Sequence, residues 1–247
     1  MTNKITNDIL DYSNQKLTEF PIIAKPNLIV QISLNNNQIV NLPNLTNFSS
    51  LRILDISRNR FVDLSPISGI TSLRVLNCSE NRIVSLSFVS SLVNLEVLNA
   101  SHNRISTVAA QMPENLRDVD LSYNEIASLD FLQHKFPATI EKLDLSSNLV
   151  TEVISLRVIA VFTHLMSLNV GLYENNRGIQ LLSYVKFLCP SLILFDGIEV
   201  PDEVSENFPN AEILLDVLVR GNESELRSLI QDVESKIGWD EPEFIPF

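Results

Sequence analysis

Histidine and cysteine are the side chains of this 247-residue chain that most often carry metal or nucleophilic chemistry. His102, His134 and His164 are scattered, and neither Cys78 nor Cys189 stands at metal-ligand spacing to any of them. Cys78 replaces an apolar residue of a repeated pattern, which favours a small buried side chain over a disulfide partner. We therefore predict no metal site and two buried free thiols.

Glycine and serine spacing gives no catalytic or nucleotide-binding signature either. The six glycines form neither G-x-G-x-x-G nor G-x-x-x-x-G-K-[ST], so the sequence contains no phosphate-binding loop. No G-x-S-x-G nucleophile elbow occurs. We therefore predict that the chain is not an enzyme and needs no cofactor.

Asparagine, in contrast, recurs at a fixed spacing. The segments LRILDISRNRF, LRVLNCSENRI and LEVLNASHNRI place Asn59, Asn81 and Asn103 22 residues apart. The series continues through Asn37 upstream and through Asn124 and Asn148 downstream, and a degenerate unit around Leu10 precedes it. A period in this range that carries LxxLxLxxN is the leucine-rich repeat signature.

Two shorter periods inside each unit predict its secondary structure. Leu54 and Ile56 alternate with Ile53 and Asp55, which is typical of a short strand with one buried face. After each asparagine the apolar residues fall three apart, which fits 3₁₀ backbone better than an α-helix. Each unit is therefore expected to be one strand followed by tight turns.

No unit of this kind can bury its own leucine face, so neighbouring units must stack. The predicted fold class is α/β: a solenoid with a concave parallel β-sheet and convex 3₁₀ or helical turns. The asparagine marks the point where the chain leaves the strand, and its amide can satisfy backbone groups that the bend leaves unpaired.

The two ends of the solenoid need closing structures. Thr6 or Asn7 is a candidate helix N-cap for a capping turn in the first nine residues. Near the other end, Leu168 and Val170 predict an eighth strand, with Tyr173 in the asparagine position. The remaining predictions are a convex helix over residues 151–165, an irregular loop over 171–178, a helix over 179–188 and a last strand over 192–195.

Residues 5–200 resemble the intracellular 22-residue class of leucine-rich repeat proteins, whose type member regulates protein phosphatase 1. Dynein light chain 1 and the spliceosomal A-prime protein are similar. Residues 184–197, YVKFLCPSLILFDG, resemble the C-terminal cap of that class, with Phe195 where the family usually has Leu. The resemblance implies a capped solenoid that binds another protein.

Equivalent residues of successive units should form columns on the concave face, because adjacent strands lie about 4.8 Å apart. Early units combine an apolar strip, Ile53, Val75 and Val97, with an arginine row just beyond the asparagines, a mixture typical of interface centres. Later units are acidic. An alternative stays open, in which the Asp/Asn and Ser columns are only solvated and the apolar column shields the sheet. The predicted partner-binding residues are Ile53, Asp55, Arg58, Arg60, Val75, Asn77, Arg82, Val97, Asn99, His102, Arg104, Asp118, Asp120, Tyr123 and Asp144.

The net charge of −12 is unevenly placed. Residues 199–247 carry 13 Asp and Glu against 3 Lys and Arg, so residues 1–198 are nearly neutral. Because phosphate binding needs a basic footprint, no direct nucleic-acid binding is predicted. No signal peptide or membrane span is recognised. With no disulfide-rich cap, a cytoplasmic location is expected, with the cytoskeleton, cilium and nucleus as other possibilities.

The period disappears after Gly197, which divides the predicted solenoid, residues 1–198, from a second segment, residues 199–247. Apolar stripes in the second segment predict an acidic helical hairpin broken at Gly221. It packs on the solenoid or meets a partner; both readings stay open. The last residues, GWDEPEFIPF, set aromatics among acids, so Trp239, Phe244 and Phe247 are candidate docking residues for an aromatic-lined or basic groove; a frayed or self-packed terminus is the alternative.

The functional prediction is a non-enzymatic scaffold that binds a partner protein on its concave face, as a monomeric solenoid inside a hetero-complex. The family resemblance implies cytoskeletal or axonemal assembly with dynein or microtubules first. A phosphatase-regulatory subunit and a structural component of a larger complex, similar to the spliceosomal A-prime protein, are the alternatives.

Overall fold

The computed structural model describes residues 8–151, 153–172, 178–202 and 228. Ten short strands in this part of the chain form one sheet, and their order in the sheet follows the chain. The strands are β1 (Ile9–Asp11), β2 (Gln31–Ser33), β3 (Ile53–Asp55), β4 (Val75–Asn77), β5 (Val97–Asn99), β6 (Asp118–Asp120), β7 (Lys142–Asp144), β8 (Ser167–Asn169), β9 (Leu194–Phe195) and β10 (Ile198–Glu199).

Strands β1 to β9 are parallel, and each pairs in register with the next. The middle residue of each strand therefore faces the middle residue of its neighbour, as Leu54 faces Leu76. These middle residues are fully buried from β2 to β8. The predicted parallel solenoid is confirmed, and so is the alternation of one buried residue between two partly exposed ones.

The segments that connect the strands lie on the side opposite the sheet and are short. Three of them contain 3₁₀ turns, at Pro26–Leu28, Ser65–Ile67 and Ser87–Ser91. The period of three therefore predicted their backbone correctly. Two α-helices also occur: α1 (Phe131–Lys135), which the sequence analysis did not predict, and α2 (Gly178–Leu188), which it did.

The prediction of an ordinary helix over residues 151–165 is wrong. The chain forms a 3₁₀ helix there, Val153–Val161. Its buried contacts explain the difference, because Leu156, Ile159, Phe162 and Leu165 are all inside the core and fall three apart. A 3₁₀ helix places residues i and i+3 on one side, whereas an α-helix of this length would rotate part of that row away from the core.

One continuous apolar core runs beneath the sheet from Ile29 to Val200. The first coil is less covered, since Leu10, Tyr12 and Phe20 pack against the core while remaining partly exposed. The predicted capping turn lies mostly in residues 1–7, outside the described part of the chain.

The C-terminal cap consists of α2, β9 and β10. Strand β9 confirms the predicted last strand, although it is shorter, and Phe195 is fully buried. Strand β10 was not predicted; it turns back at Gly197 and pairs antiparallel with β9. The positions of Tyr173, of the loop over 173–177, and of the predicted hairpin and tail lie outside the described residues.

Candidate protein-binding surface

A row of asparagine side chains holds successive coils together and so positions every surface column. Asn59 is representative: its Oδ1 accepts a hydrogen bond from the Ile39 N–H at 3.0 Å, one coil earlier. Its Nδ2 lies 2.9 Å from the Leu34 carbonyl of that earlier coil and 3.2 Å from the Ile56 carbonyl of its own. The predicted role of the asparagine, satisfying backbone groups at the bend, is confirmed. The same pattern recurs at Asn37, Asn81, Asn103, Asn124 and Asn148.

An aspartate takes over this role in the cap. The Asp196 Oδ1 accepts hydrogen bonds from Val170 N–H at 2.6 Å and Gly171 N–H at 2.9 Å, and its Oδ2 accepts one from Leu172 N–H at 2.8 Å. Asp196 was not among the predicted site residues, although it follows Phe195 in the segment that resembles a family cap. An acidic side chain directly after a strand was the available signal.

The last residue of each strand builds the turn that follows it. Asp55 Oδ1 accepts hydrogen bonds from the Ser57 N–H at 3.0 Å and the Ser57 hydroxyl at 2.7 Å. The equivalent bonds occur for Asn77, Asn99, Asp120 and Asp144 with the serines two residues later. One oxygen of each of these five predicted partner-binding residues is therefore occupied by the fold itself.

The first residue of each strand forms the apolar strip on the sheet face. Ile53, Val75 and Val97 pair in register and are partly exposed. The strip ends at Asp118 and then Lys142, which occupy the same column in β6 and β7. Three branched apolar side chains therefore lie side by side on adjacent strands, next to the half of the sheet face that is charged.

Ion pairs border the strip on the side where the strands begin. Arg74 contacts Glu96, and the Arg117 guanidinium lies 3.0 Å from the Glu141 carboxylate. These residues directly precede β4 to β7 and were not among the predicted site residues. The signal was present, because the charge changes sign from each of these four positions to the next.

A second border lies where the strands end, and its backbone is left-handed. Arg58, Glu80, His102, Tyr123 and Ser147 have φ values between 52° and 54°. This conformation is uncommon for residues other than glycine. It is held here by coil-to-coil bonds such as Arg58 N–H to the Ser79 carbonyl at 3.0 Å. Because the backbone is constrained, the Cα–Cβ bonds of this column have fixed positions and directions.

The side chains of that column interact in pairs. The Arg58 Nε lies 2.7 Å from the Glu80 carboxylate. The His102 and Tyr123 rings stack at 4.0 Å with 10° between their planes. All four side chains are exposed, so the border presents one ion pair and one aromatic stack to a ligand on the sheet face.

The acidic half of the face includes one perturbed carboxyl group. Burial raises the pKa of Asp118, and the neighbouring Asp120 and Glu141 charges add to the effect, while the Lys142 ammonium opposes it. The group lies beside Val97 in the sheet. It marks the boundary where the apolar strip meets charge.

Arg60, Arg82 and Arg104 stand apart from the sheet face. Each follows the left-handed turn and the buried asparagine, and its backbone N–H bonds to a carbonyl of the previous coil. They form a separate row, here called the arginine row, beyond the end of the strands. Their side chains are exposed, and no ion pair links them to any residue that the structure describes.

The two cysteines are free and buried, as predicted. Burial raises the pKa of the Cys78 thiol to about 12. Among the described residues, no group of three His, Cys, Asp or Glu side chains is arranged to hold a metal ion. No described helix combines the length and apolarity that crossing a membrane requires. The tail candidates Trp239, Phe244 and Phe247 lie outside the described residues.

Family models match the central coils. The model "Leucine Rich repeats (2 copies)" matches residues 71–110, and "Leucine Rich Repeat" matches residues 50–70. No curated protein matches the sequence significantly.

Solved structures match more of the chain. An internalin, InlF, from Listeria monocytogenes is 24% identical over 69% of this chain and 49% of that one, with a TM-score of 0.58. Internalin C2 from the same species is 20% identical over 68% of this chain and 71% of that one, with a TM-score of 0.54. YopM from Yersinia enterocolitica is 21% identical over 66% of this chain and 33% of that one, with a TM-score of 0.53. At this identity the matches show a shared fold, and the chain spans about half of the InlF structure.

Proposed function

We propose that this chain, a leucine-rich repeat protein, is a non-enzymatic scaffold that binds a partner protein on the sheet face of its solenoid. Leucine-rich repeat proteins generally mediate protein-protein interactions. The observation that carries the proposal is the apolar strip of Ile53, Val75 and Val97 between two charged borders. A desolvated apolar centre with a polar rim is the usual anatomy of a protein interface.

The borders suit this role because they are already ordered. Arg58 is held by Glu80, and His102 is stacked on Tyr123, so a partner would not need to immobilise these long side chains itself. Preorganised contact residues lower the entropic cost of association. The change from apolar strip to acidic half would also orient the partner, because only one direction matches apolar to apolar and basic to acidic.

The compartment and the cellular role are finer proposals. Two buried free thiols support the cytoplasm, where disulfides are rare. A role in cytoskeletal or axonemal assembly is supported by the family resemblance of residues 5–200 alone. Phosphatase regulation and a place in a larger complex are the alternatives, which the same resemblance supports.

Crosslinking mass spectrometry in a native extract would identify the partner and the crosslinked face. The decisive test is then the partner's dissociation constant for the wild-type chain, Val75→Glu and Val93→Glu. Val93 is the matched control, since it is a valine with 52% exposure that lies away from the sheet. We expect Val75→Glu to weaken binding at least about tenfold, because a carboxylate would have to be desolvated in the interface.

Val93→Glu is expected to leave the dissociation constant unchanged, with both variants showing wild-type circular dichroism. Equal affinity for all three proteins would overturn the sheet-face assignment. Crosslinks that avoid β3 to β5 altogether would do so independently.

A further inference from the structure

The arginine row is built into the backbone as regularly as the sheet is. Arg60, Arg82 and Arg104 donate their N–H groups to the carbonyls of the apolar residues that follow the asparagines of the preceding coils, at 2.9 to 3.0 Å. Successive guanidinium groups therefore start about 5 Å apart, at the spacing of stacked coils. Lys16 and Gln38 precede the row in the same position, and Glu125 ends it.

Charge pairing distinguishes this row from three of the four other arginines of the central coils, since only Arg52 among those four lacks an ion pair with a described residue. Arg58, Arg74 and Arg117 each have a carboxylate partner one coil away. The three members of the arginine row have none within the described part of the chain. Three adjacent unpaired cations repel one another, so an anionic ligand lying across them would gain from all three.

An apolar row accompanies the arginines. Val40, Val62 and Val84 are 46%, 50% and 53% exposed, and each stands two residues after the row position of its coil. The residues between them, Phe61 and Ile83 among others, are fully buried. Because exposed and buried residues alternate after each asparagine, the arginine and the valine both face outward. This part of the solenoid surface therefore carries two parallel rows, one basic and one apolar.

These two rows fit a ligand that combines acidic and large apolar residues in one short segment, and this chain contains one. Residues 203–247 carry 11 Asp and Glu against 3 Lys and Arg, and residues 239–247 read WDEPEFIPF. Asp240, Glu241 and Glu243 match the arginine row in sign, while Trp239 and Phe244 match the valines in polarity. Pro242 and Pro246 each fix one φ angle and disfavour helical backbone at the preceding residue, so fewer backbone conformations would be lost on docking.

The covalent connection is long enough. The described chain reaches Asp202, which an ion pair of 2.9 Å holds to Lys186 in the cap. The coil of Arg82 lies five strand spacings from β9, or about 24 Å. The 36 residues between Asp202 and Trp239 span about 54 Å even if wholly α-helical, and more if extended.

We propose that residues 239–247 dock on the arginine and valine rows of the same molecule. Arg60, Arg82 and Arg104, which were predicted from the sequence to bind the partner, are assigned to the tail by this proposal, and the sheet face stays available to the partner. The inference does not depend on the proposed function, since tail docking and partner binding can each fail alone.

Trp239 is the chain's single tryptophan, so its fluorescence reports directly on the tail of the full-length protein. We expect a blue-shifted emission relative to free N-acetyltryptophanamide and weak quenching by acrylamide. Charge reversal by Arg82→Glu with Arg104→Glu should shift the emission to that of the free compound and raise the quenching constant several-fold. Arg52→Glu, at the exposed start of β3 on the opposite border, is the matched control and should change neither quantity.

The reciprocal tail variant, Glu241→Lys with Glu243→Lys, should give the same red shift, and combining all four substitutions should restore the blue shift. A free-indole spectrum in the wild type would overturn the proposal. So would a shielded tryptophan that Arg82→Glu with Arg104→Glu leaves shielded. An emission that changes on dilution would show docking between molecules instead, which also overturns it.

Discussion

The coils of β2 to β5 and the coils of β6 to β9 use the same core but differ in length and surface. In the first group the strands start 22 residues apart, and short 3₁₀ turns return the chain. In the second group the return segments include α1, the 3₁₀ helix Val153–Val161 and α2. The strand register nevertheless continues without a slip.

This difference shows where the architecture tolerates change. Extra residues are absorbed on the side away from the sheet, while the buried middle residue of each strand and the asparagine row fix the register. The outward column changes from Ile53, Val75 and Val97 to Asp118 and Lys142 without disturbing the pairing. Core and surface are thus encoded at separate positions, and the same scaffold presents an apolar half and a charged half.

The largest expected effect compares a buried member of the asparagine row from the first group with a less buried member from the second. Asn59→Ala should lower the free energy of unfolding by about 3 to 5 kcal/mol, because it leaves the buried Ile39 N–H and Leu34 carbonyl without partners. Asn148→Ala removes the same set of bonds from a less buried site, where water can replace them, and should cost about 1 to 2 kcal/mol.

Urea unfolding monitored by circular dichroism measures both values. Asn94→Ala, at an exposed asparagine that bonds the Thr71 carbonyl, is the control and should cost less than about 1 kcal/mol. Equal losses for Asn59→Ala and Asn148→Ala would remove this distinction between the two groups.

The stability of the cap should depend on one buried charged side chain in addition to Asp196. Lys186 is buried, donates to the Leu192 carbonyl at 3.0 Å and pairs with the exposed Asp202. Lys186→Met keeps the aliphatic packing but leaves that carbonyl without its donor, so we expect a loss of about 1 to 3 kcal/mol in thermal unfolding.

Asp202→Asn should cost less, because the bond to Leu192 remains. Hydrogen bonding from Lys186 lowers the pKa of Asp202 below 3.8, so the stabilisation by the carboxylate is present above pH 3.8 and is lost as the pH falls through the folded-state pKa. If Asp202→Asn destabilises the chain as much as Lys186→Met does, the carbonyl contact is not what matters.

The two cysteines provide one probe in each region. Both thiols are buried, and burial raises the pKa of Cys78 to about 12 and raises that of Cys189, so neither reacts without local opening. Cys78 has regular coils on both sides, whereas Cys189 lies in the cap, which is the last coil of the part of the chain that the structure describes. We expect Cys189 to be labelled by a thiol reagent at least about ten times faster than Cys78 under native conditions.

Peptide mass spectrometry after timed labelling assigns the two rates without substitution. Labelling of both thiols at one common rate would indicate that the solenoid opens as a single unit. That result would contradict a boundary in stability between the two regions.

The smallest effect is expected where the apolar strip meets the charged half. Burial raises the pKa of Asp118, so its ionisation destabilises the folded state at neutral pH. Asp118→Asn should therefore raise the free energy of unfolding at pH 7 by less than about 1 kcal/mol, since the half-exposed group is screened by solvent.

The pH dependence of this gain in stability shows whether the ionised Asp118 carboxylate destabilises the folded state. The difference between Asp118→Asn and the wild type should shrink as the pH falls through the raised folded-state pKa and disappear below the unfolded value of 3.8. Urea midpoints measured between pH 3 and pH 8 would show this. A gain that grows at low pH would mean that the carboxylate stabilises the fold.

Most of the fold followed from spacing. The period of 22, the buried middle residue exemplified by Leu76, and the period of three predicted the strands, the parallel order and the tight turns. The same period of three is present at Leu156, Ile159 and Phe162, so the error there came from treating a continuous apolar run as an ordinary helix. Strand β10 had no such signal, because two residues are too few to show a period.

The candidate surface was only partly predictable. The apolar strip and its continuation into Asp118 and Lys142 follow from register alone. The pairing of Arg58 with Glu80, and the stacking of His102 on Tyr123, depend on a left-handed backbone that residue types did not indicate. The period did distinguish the paired Arg74 from the unpaired Arg82, because Glu96 follows Arg74 by one repeat whereas Arg104 follows Arg82.

The sequence by itself determined that leucines and asparagines recur at one interval, and therefore that coils must stack to remove them from water. That conclusion needs only burial and the backbone's demand for hydrogen-bond partners, which act at every repeat in the same way. Tertiary structure alone decided which outward side chains meet, since a contact between neighbouring coils depends on the turn that aims each side chain. Whether a charge is paired or free is a property of that geometry, and it separates the ordered borders of the sheet from the arginine row.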